Sequence, residues 1–332
     1  RLSPVPPHRH TLLSFFVIFA SRFTIAMIMT TIASALLGAA VLAADILPYT
    51  VPTYGVKVEA DVVYGSAEGY WSEGPDRISP TAQDWFRVVG SPKELVLLMD
   101  IYTPDGDNSD NRPLLLMMHG GGFTIGNKGE KGQVEWCRHF ASLGYVAVSI
   151  DYRMGFKPTR SGLYKAESDA LDDARAALAF LLGREDLRVD PDRVFVAGTS
   201  AGGALALGLA FEPDHSIPCR ILAVGNLWGY VRDISVLDNA SVPIVSFQSV
   251  QDPVVPYGKG YPLGQRIAGT AYGTKAVHER ASELGIPCEH VPVPEKAHRL
   301  HLDRNGAFTP RFYEIRDALT DFFACAMSGL LR

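Results

Sequence analysis

The chain is predicted to fold as α/β, with a mostly parallel central sheet, helices on both faces and antiparallel strands at its N-terminal side. Three features carry that prediction. From Pro113 onward, short apolar runs alternate with segments of helical period, the mark of repeated βα units. The runs are apolar throughout rather than at every second residue, as strands buried on both faces are. Gly and Pro stand at the ends of these segments.

Taken in order, "YGVKVEADVVYG" and "ELVLLMDIYTP" mix apolar alternation with β-branched residues and read as an opening antiparallel hairpin. "PLLLMMHG", "YVAVSID", "RVFVAG", "ILAVGN", "VPIVSFQSV" and "CEHVPVP" read as strands. "VEWCRHFASLG", "AESDALDDARAALAFLLG", "AGGALALGLA", "KAVHERASELG" and "RFYEIRDALTDFFACAM" read as helices. Gly144, Gly183 and Gly285 are expected to close three of them in the left-handed conformation. "VDPDRV" reads as a Pro/Asp turn ahead of the strand at Val194.

Composition bounds the function. The 332 residues are 47% hydrophobic and 20% charged, a globular balance, and no linker divides residues 45–332, which are expected to form one catalytic domain. A formal charge of −5 without a basic run excludes a nucleic-acid partner. Cys137, Cys219, Cys288 and Cys325 are widely spaced and include no C-x-x-C pair, so no metal is expected; three disulfide pairings and four free thiols remain open. The oligomeric state is not legible.

Residues 1–44 read as a leader and signal peptide. Thr11 to Ala44 holds a single charge, Arg22, and ends in small residues suited to cleavage after Ala43 or Ala44, with Met27 and Met29 as candidate starts. A secreted or periplasmic protein is expected. The rival reading is a membrane anchor, because Phe23 to Ala44 is long enough to span a bilayer; membrane contact is expected only if the leader stays uncut.

The candidate nucleophile is Ser200, in "GTSAGG". A G-x-S-x-G pentapeptide is weak alone, but this one follows a buried-strand signal and opens a helix signal, the setting in which a strained turn exposes a serine hydroxyl. The spacing of Gly198, Gly202 and Gly203 does not fit a dinucleotide loop, and no Lys supports a P-loop, so no cofactor is expected. The alternative is an inert strand-to-helix turn. "HGGGF" at 119–123 follows another apolar strand, and backbone N–H groups there could hold an oxyanion. Gly121 and Gly122 are the expected donors, with Ala201 N–H as a third; His119 is expected to brace this loop.

A serine needs a base, and the base an orienter. His298 lies in the loop after the last strand, at the sheet edge where open parallel sheets bind ligands, and is preferred to His301. Asp252 lies just beyond the preceding strand and is preferred to Asp233 and Asp238. Phe123, Trp228 and Tyr230 are candidates to line a substrate pocket, against the plain alternative of core aromatics.

In the order "DIYTP", "HGGGF", "SIDYR", "GTSAGG", "QDPVVPY" and the late "AH", from Asp100 to about Phe323, the chain resembles the α/β-hydrolase superfamily. Within it, the chain is similar to secreted carboxylesterases with an HGGG oxyanion loop, of the hormone-sensitive-lipase-like and feruloyl or acetyl esterase groups. The resemblance implies that Ser200 attacks an acyl carbon, His298 relays the proton, Asp252 fixes the imidazole, and Gly121, Gly122 and Ala201 hold the oxyanion. It implies a small or polymer-borne ester substrate, with short-chain or aromatic acyl groups; a peptidase, an aryl formamidase and a polyester or polyamide depolymerase are alternatives on the same triad, and an inactive binding protein is another. Two departures stand out. Ala297 precedes the histidine where many relatives have Gly, and the 52 residues from Ser200 to Asp252 leave no room for a large lid.

Overall fold

Strand residues in this chain are apolar on both sides because both sides are covered. A computed structural model describes residues 47–73, 91–212 and 217–331; the predicted leader lies outside them. In chain order, strands β1 (Gly55–Gly69) and β2 (Lys93–Asp105) are followed by β3 (Arg112–Met118), helix α1 (Lys131–Ser142), β4 (Val146–Ile150), α2 (Arg160–Leu182), β5 (Val189–Thr199), α3 (Ala201–Phe211) and β6 (Ile221–Leu227). The short β7 (Tyr230–Val231), then β8 (Ile244–Ser249), β9 (Lys259–Gly260), β10 (Ala271–Gly273), α4 (Thr274–Glu283), β11 (Cys288–Val293) and α5 (Pro310–Met327) complete it.

Eight strands form one sheet in the order β1-β2-β4-β3-β5-β6-β8-β11. The pairs β1/β2 and β2/β4 are antiparallel and all others parallel, as predicted. Successive strand residues point to opposite faces. Leu114, Leu116 and Met118 of β3 therefore pack with Ala170, Ala174 and Leu178 of α2 and Leu205 and Leu209 of α3. Leu115 and Met117 pack instead with Trp136 and Phe140 of α1 and Phe312, Leu319 and Phe323 of α5. At about 1.5–3 kcal/mol per large side chain removed from water, these two layers outweigh the surface ion pairs, worth about 0–1 kcal/mol each. Helix α3 is buried on nearly every side, which its Ala, Gly and Leu composition permits.

Two local expectations change and one open alternative is decided. Gly144 and Gly285 do close helices with φ of 108° and 69°, but Gly183 has φ −81° and caps α2 in the right-handed region. The Pro/Asp turn is absorbed into β5: pairing with β3 jumps from Arg112–Val189 to Leu114–Val194, and the intervening residues bulge, with Asp190 accepting from Asp192 N–H and Arg193. All four cysteines are free thiols, and Cys137 is buried. Among the described residues no helix is long and apolar enough to cross a membrane.

Candidate active site

Ser200 sits between the end of β5 and the start of α3, at φ 53° and ψ −114°. A serine in that region is strained, and its surroundings hold it there: its N–H donates to Leu227 O at 2.8 Å and its C=O accepts from Ala204 N–H at 3.0 Å. The flanking glycines are steric necessities. A Cβ on Gly202 would lie 2.0 Å from Met118 O, and one on Gly198 would lie 2.4 Å from the Gly202 carbonyl. Gly202→Ala is accordingly expected to cost about 3 kcal/mol or more, read as a lowered urea midpoint; an unchanged midpoint would contradict this account of the turn.

Two loops at the same sheet edge complete a chain of hydrogen bonds. Asp252 follows β8 and His298 follows β11. His298 Nδ1–H donates to both Asp252 carboxylate oxygens at 2.9 Å, which leaves Nε2 to accept from Ser200 Oγ–H at 2.8 Å. The Asp252 carboxylate is fully buried and does not rely on His298 alone. It also accepts the N–H groups of Val254 (2.8 Å) and Val255 (3.1 Å) and the amide of Gln248 (3.3 Å). Gln248 in turn reaches Val255 O and Thr274 N–H, so one buried amide ties β8, the Asp252 turn and α4 together. Sequence reading missed Gln248; the available signal was a large polar residue near the end of a strand whose other polar residues are the small Ser246 and Ser249.

The glycine loop after β3 approaches Ser200 closely: a Cβ on Gly120 would lie 3.3 Å from Ser200 Cβ. Gly121 and Gly122 have φ of 111° and 59°. Their N–H groups, and that of Ala201 at the first position of α3, donate to no acceptor among the described residues and are available to an anion. The loop is clamped from behind. Lys128 N–H donates to Asp151, Ser149 Oγ–H to Lys128 O, Trp71 Nε1–H to Thr124 O, and Gly155 N–H to Phe123 O. Burial raises the Asp151 carboxyl to about 7.

His119 braces this loop, as expected. Its buried ring stacks on Tyr152 at 4.3 Å, Nδ1–H donates to Gly120 O at 2.6 Å, and burial lowers its pKa to about 4. Tyr152 completes the brace by donating to His119 O at 2.7 Å; this residue too was missed.

The other candidates fall elsewhere. Asp233 caps the 3-10 segment Ile234–Asn239 through Ser235 N–H, and Asp238 pairs with Arg280, so neither orients His298. His301 is buried, stacks on Trp228 (5.4 Å) and meets Trp136 at a tilt (5.1 Å), and has its pKa lowered to about 3 by burial; it does not bond to Ser200. The pocket expectation is corrected. Phe123 and Trp228 are 1% exposed and packed in the two core layers, Phe123 against Tyr152 and Trp228 against His301. Tyr230 is 7% exposed, and its hydroxyl is committed to Glu167 at 2.5 Å, which also holds Arg232.

A mostly parallel sheet with this strand order, covered by helices on both faces and carrying a serine in a strained β5–α3 turn, is the α/β-hydrolase fold. Residues 99–221 match the BD-FAE family model. Among curated relatives, the probable carboxylic ester hydrolase LipM of Mycobacterium tuberculosis is 34% identical over 52% of this chain and 46% of its own length. A segment of the non-reducing polyketide synthase pkbA of Emericella nidulans is 34% identical over 54% of this chain, which spans 8% of the synthase. The chain thus spans less than half the length of these relatives. Among solved structures, the apo form of Thermogutta terrifontis esterase 2 shares the fold, with a TM-score of 0.55 at 20% identity over 84% of this chain and 96% of that one.

Proposed function

We propose that the chain is a serine carboxylic-ester hydrolase, its residues 45–332 one catalytic domain exported behind a cleaved leader. Its substrates are short-chain or aromatic acyl esters, free or polymer-borne. The observation that carries this reading is the unbroken hydrogen-bond chain from Ser200 Oγ through His298 to Asp252, beside the unpartnered N–H groups of the glycine loop. The BD-FAE match and the carboxylic ester hydrolase relative support it.

In this mechanism Ser200 Oγ attacks the ester carbonyl carbon as its proton passes to His298 Nε2. Asp252 stays ionised and stabilises the imidazolium through Nδ1–H. The carbonyl oxygen becomes an oxyanion held by the N–H groups of Gly121, Gly122 and Ala201; one such donor contributes on the order of 3 kcal/mol of barrier lowering. Collapse expels the alkoxide, which takes the proton from His298. Water then attacks the acyl-enzyme with His298 again as base, and the acid leaves.

A panel of p-nitrophenyl esters of increasing acyl length, with a feruloyl ester, run beside matched p-nitroanilides tests the proposal. Turnover of acetate and butyrate esters, with anilides far slower, is the expected result. Anilide turnover equal to that of the esters would replace it with an amide hydrolase, and no turnover of either would leave only a binding role.

A further inference from the structure

Six rings form a continuous column that runs from the start of α5 to His298. Phe308 stacks on Phe312 at 4.1 Å, Phe312 on Trp136 at 5.3 Å, Trp136 meets His301 at 5.1 Å, His301 stacks on Trp228 at 5.4 Å, and Trp228 meets His298 at 6.5 Å. The last contact is nearly perpendicular, at 71°, whereas His301 and Trp228 are nearly parallel, at 17°.

We propose that Trp228 is a positioning residue for His298, with His301 as the spacer that holds Trp228 in place; the proposal rests on the reading of His298 as general base. Hydrogen bonds hold the imidazole of His298 at two points only, Nδ1 to Asp252 and Nε2 to Ser200. Both bonds lie in the plane of the ring and resist motion out of that plane weakly, and an out-of-plane tilt carries Nε2 and its lone pair off Ser200 Oγ. A ring packed nearly perpendicular to the imidazole blocks that tilt.

Trp228 is itself held on several sides. It is 1% exposed, it stands at φ 51° immediately after β6, its N–H donates to Phe247 O at 2.7 Å, and His301 covers one face. A bulky residue at positive φ is rare and persists only where its surroundings dictate it. The preceding residue, Leu227, accepts the Ser200 N–H. One turn after β6 therefore touches the backbone of the serine and the ring of its base, and sets their relative placement. His301 is packed so tightly against α1 that a Cβ on Gly132 would lie 2.6 Å from its ring. Its Nδ1 has no partner among the described residues, which suits a residue used for its flat shape rather than for proton transfer.

The test compares Trp228→Phe, Trp228→Leu and His301→Leu with the wild-type chain. Trp228→Leu is expected to lower kcat on p-nitrophenyl acetate by about tenfold to a hundredfold with KM within about twofold, because misplacing a catalytic group slows the chemical step. Trp228→Phe, which restores a ring, is expected to recover most of that loss, and His301→Leu to lower kcat in the same direction. The far-downfield proton resonance of His298 Nδ1–H is expected to shift or broaden in Trp228→Leu and to return in Trp228→Phe. The proposal is overturned if kcat and this resonance are unchanged in Trp228→Leu, or if the loss falls on KM alone. If Trp228→Leu does not fold, unchanged kcat and an unmoved resonance in His301→Leu overturn it. The resonance is read without turnover. Failure of the esterase reading, seen as no ester hydrolysis by the wild-type chain, is therefore distinguishable from failure of the positioning role.

Discussion

Ser200→Ala is expected to lower kcat on p-nitrophenyl acetate by about 10⁵- to 10⁶-fold while leaving the fold intact. The size of the effect follows from the way the site works as a unit. Without Oγ, His298 has no proton to take and no covalent intermediate can form, so what survives is the contribution of the oxyanion donors and of binding, roughly 10³–10⁴ over water. The fold should persist because the strain is in the backbone: the φ of 53° falls equally on a serine and on an alanine, and the bonds that the Ser200 N–H and C=O make to Leu227 and Ala204 do not involve the side chain. Steady-state kinetics with a thermal melt decide it. A variant that melts like wild type and keeps its activity would sink the nucleophile assignment.

The second large effect is on stability in acid. His119, His139, His278 and His301 are all kept neutral by burial, their pKa values lowered to about 4, 4, 3 and 3 respectively. In the unfolded chain each takes a proton near pH 6.5, and in the folded chain none does until about pH 3–4. The unfolded state therefore binds more protons across that window, and stability present above pH 6.5 is lost as pH falls. Each of these imidazoles contributes on the order of 3 kcal/mol to that loss over the whole window. Asp151 opposes it: with its carboxyl raised to about 7, it favours the folded chain more as pH falls from 7 toward 3.8. Asp173 and Asp321, also raised by burial, oppose it too, while the lowered carboxyls of Asp107, Asp186 and Asp190 and the lowered imidazole of His290 act with the four histidines, so the sign is not reversed. The urea midpoint at about pH 4.5 is expected to lie well below that at about pH 7, and His278→Gln to flatten the difference. Equal midpoints, or a higher one in acid, would contradict this ordering.

The readable parts of the site share a cause. Ser200, Asp252, His298 and the glycine loop each follow an apolar strand within a few residues, and parallel strands deliver all such loops to one edge of the sheet. Local spacing therefore carried long-range information. Where that relation gave no guide, the reading stayed open. Trp228 and Tyr230 also follow a strand and were candidates either to line a pocket or to fill the core, and both are buried, because what an aromatic ring touches depends on residues far away in the chain: His301 for one, Glu167 for the other. Gln248 and Tyr152 left no motif, since each matters only through bonds to Asp252 and to His119 that no spacing encodes.

Composition and periodicity were enough to set the α/β class and the order of strands and helices along the chain, and the G-x-S-x-G motif with its place among those strands marked out the serine, aspartate and histidine at strand ends. Each of these depends on which residues neighbour one another along the backbone, and on the simple rule that apolar runs must be covered. Tertiary structure decided the rest: that His298 and not His301 meets Ser200, that Gly202 admits no side chain beside Met118 O, and that the four cysteines are free thiols. Those outcomes turn on distances of a few ångström between segments remote in the chain, and close packing settles such distances only when every neighbour is in place.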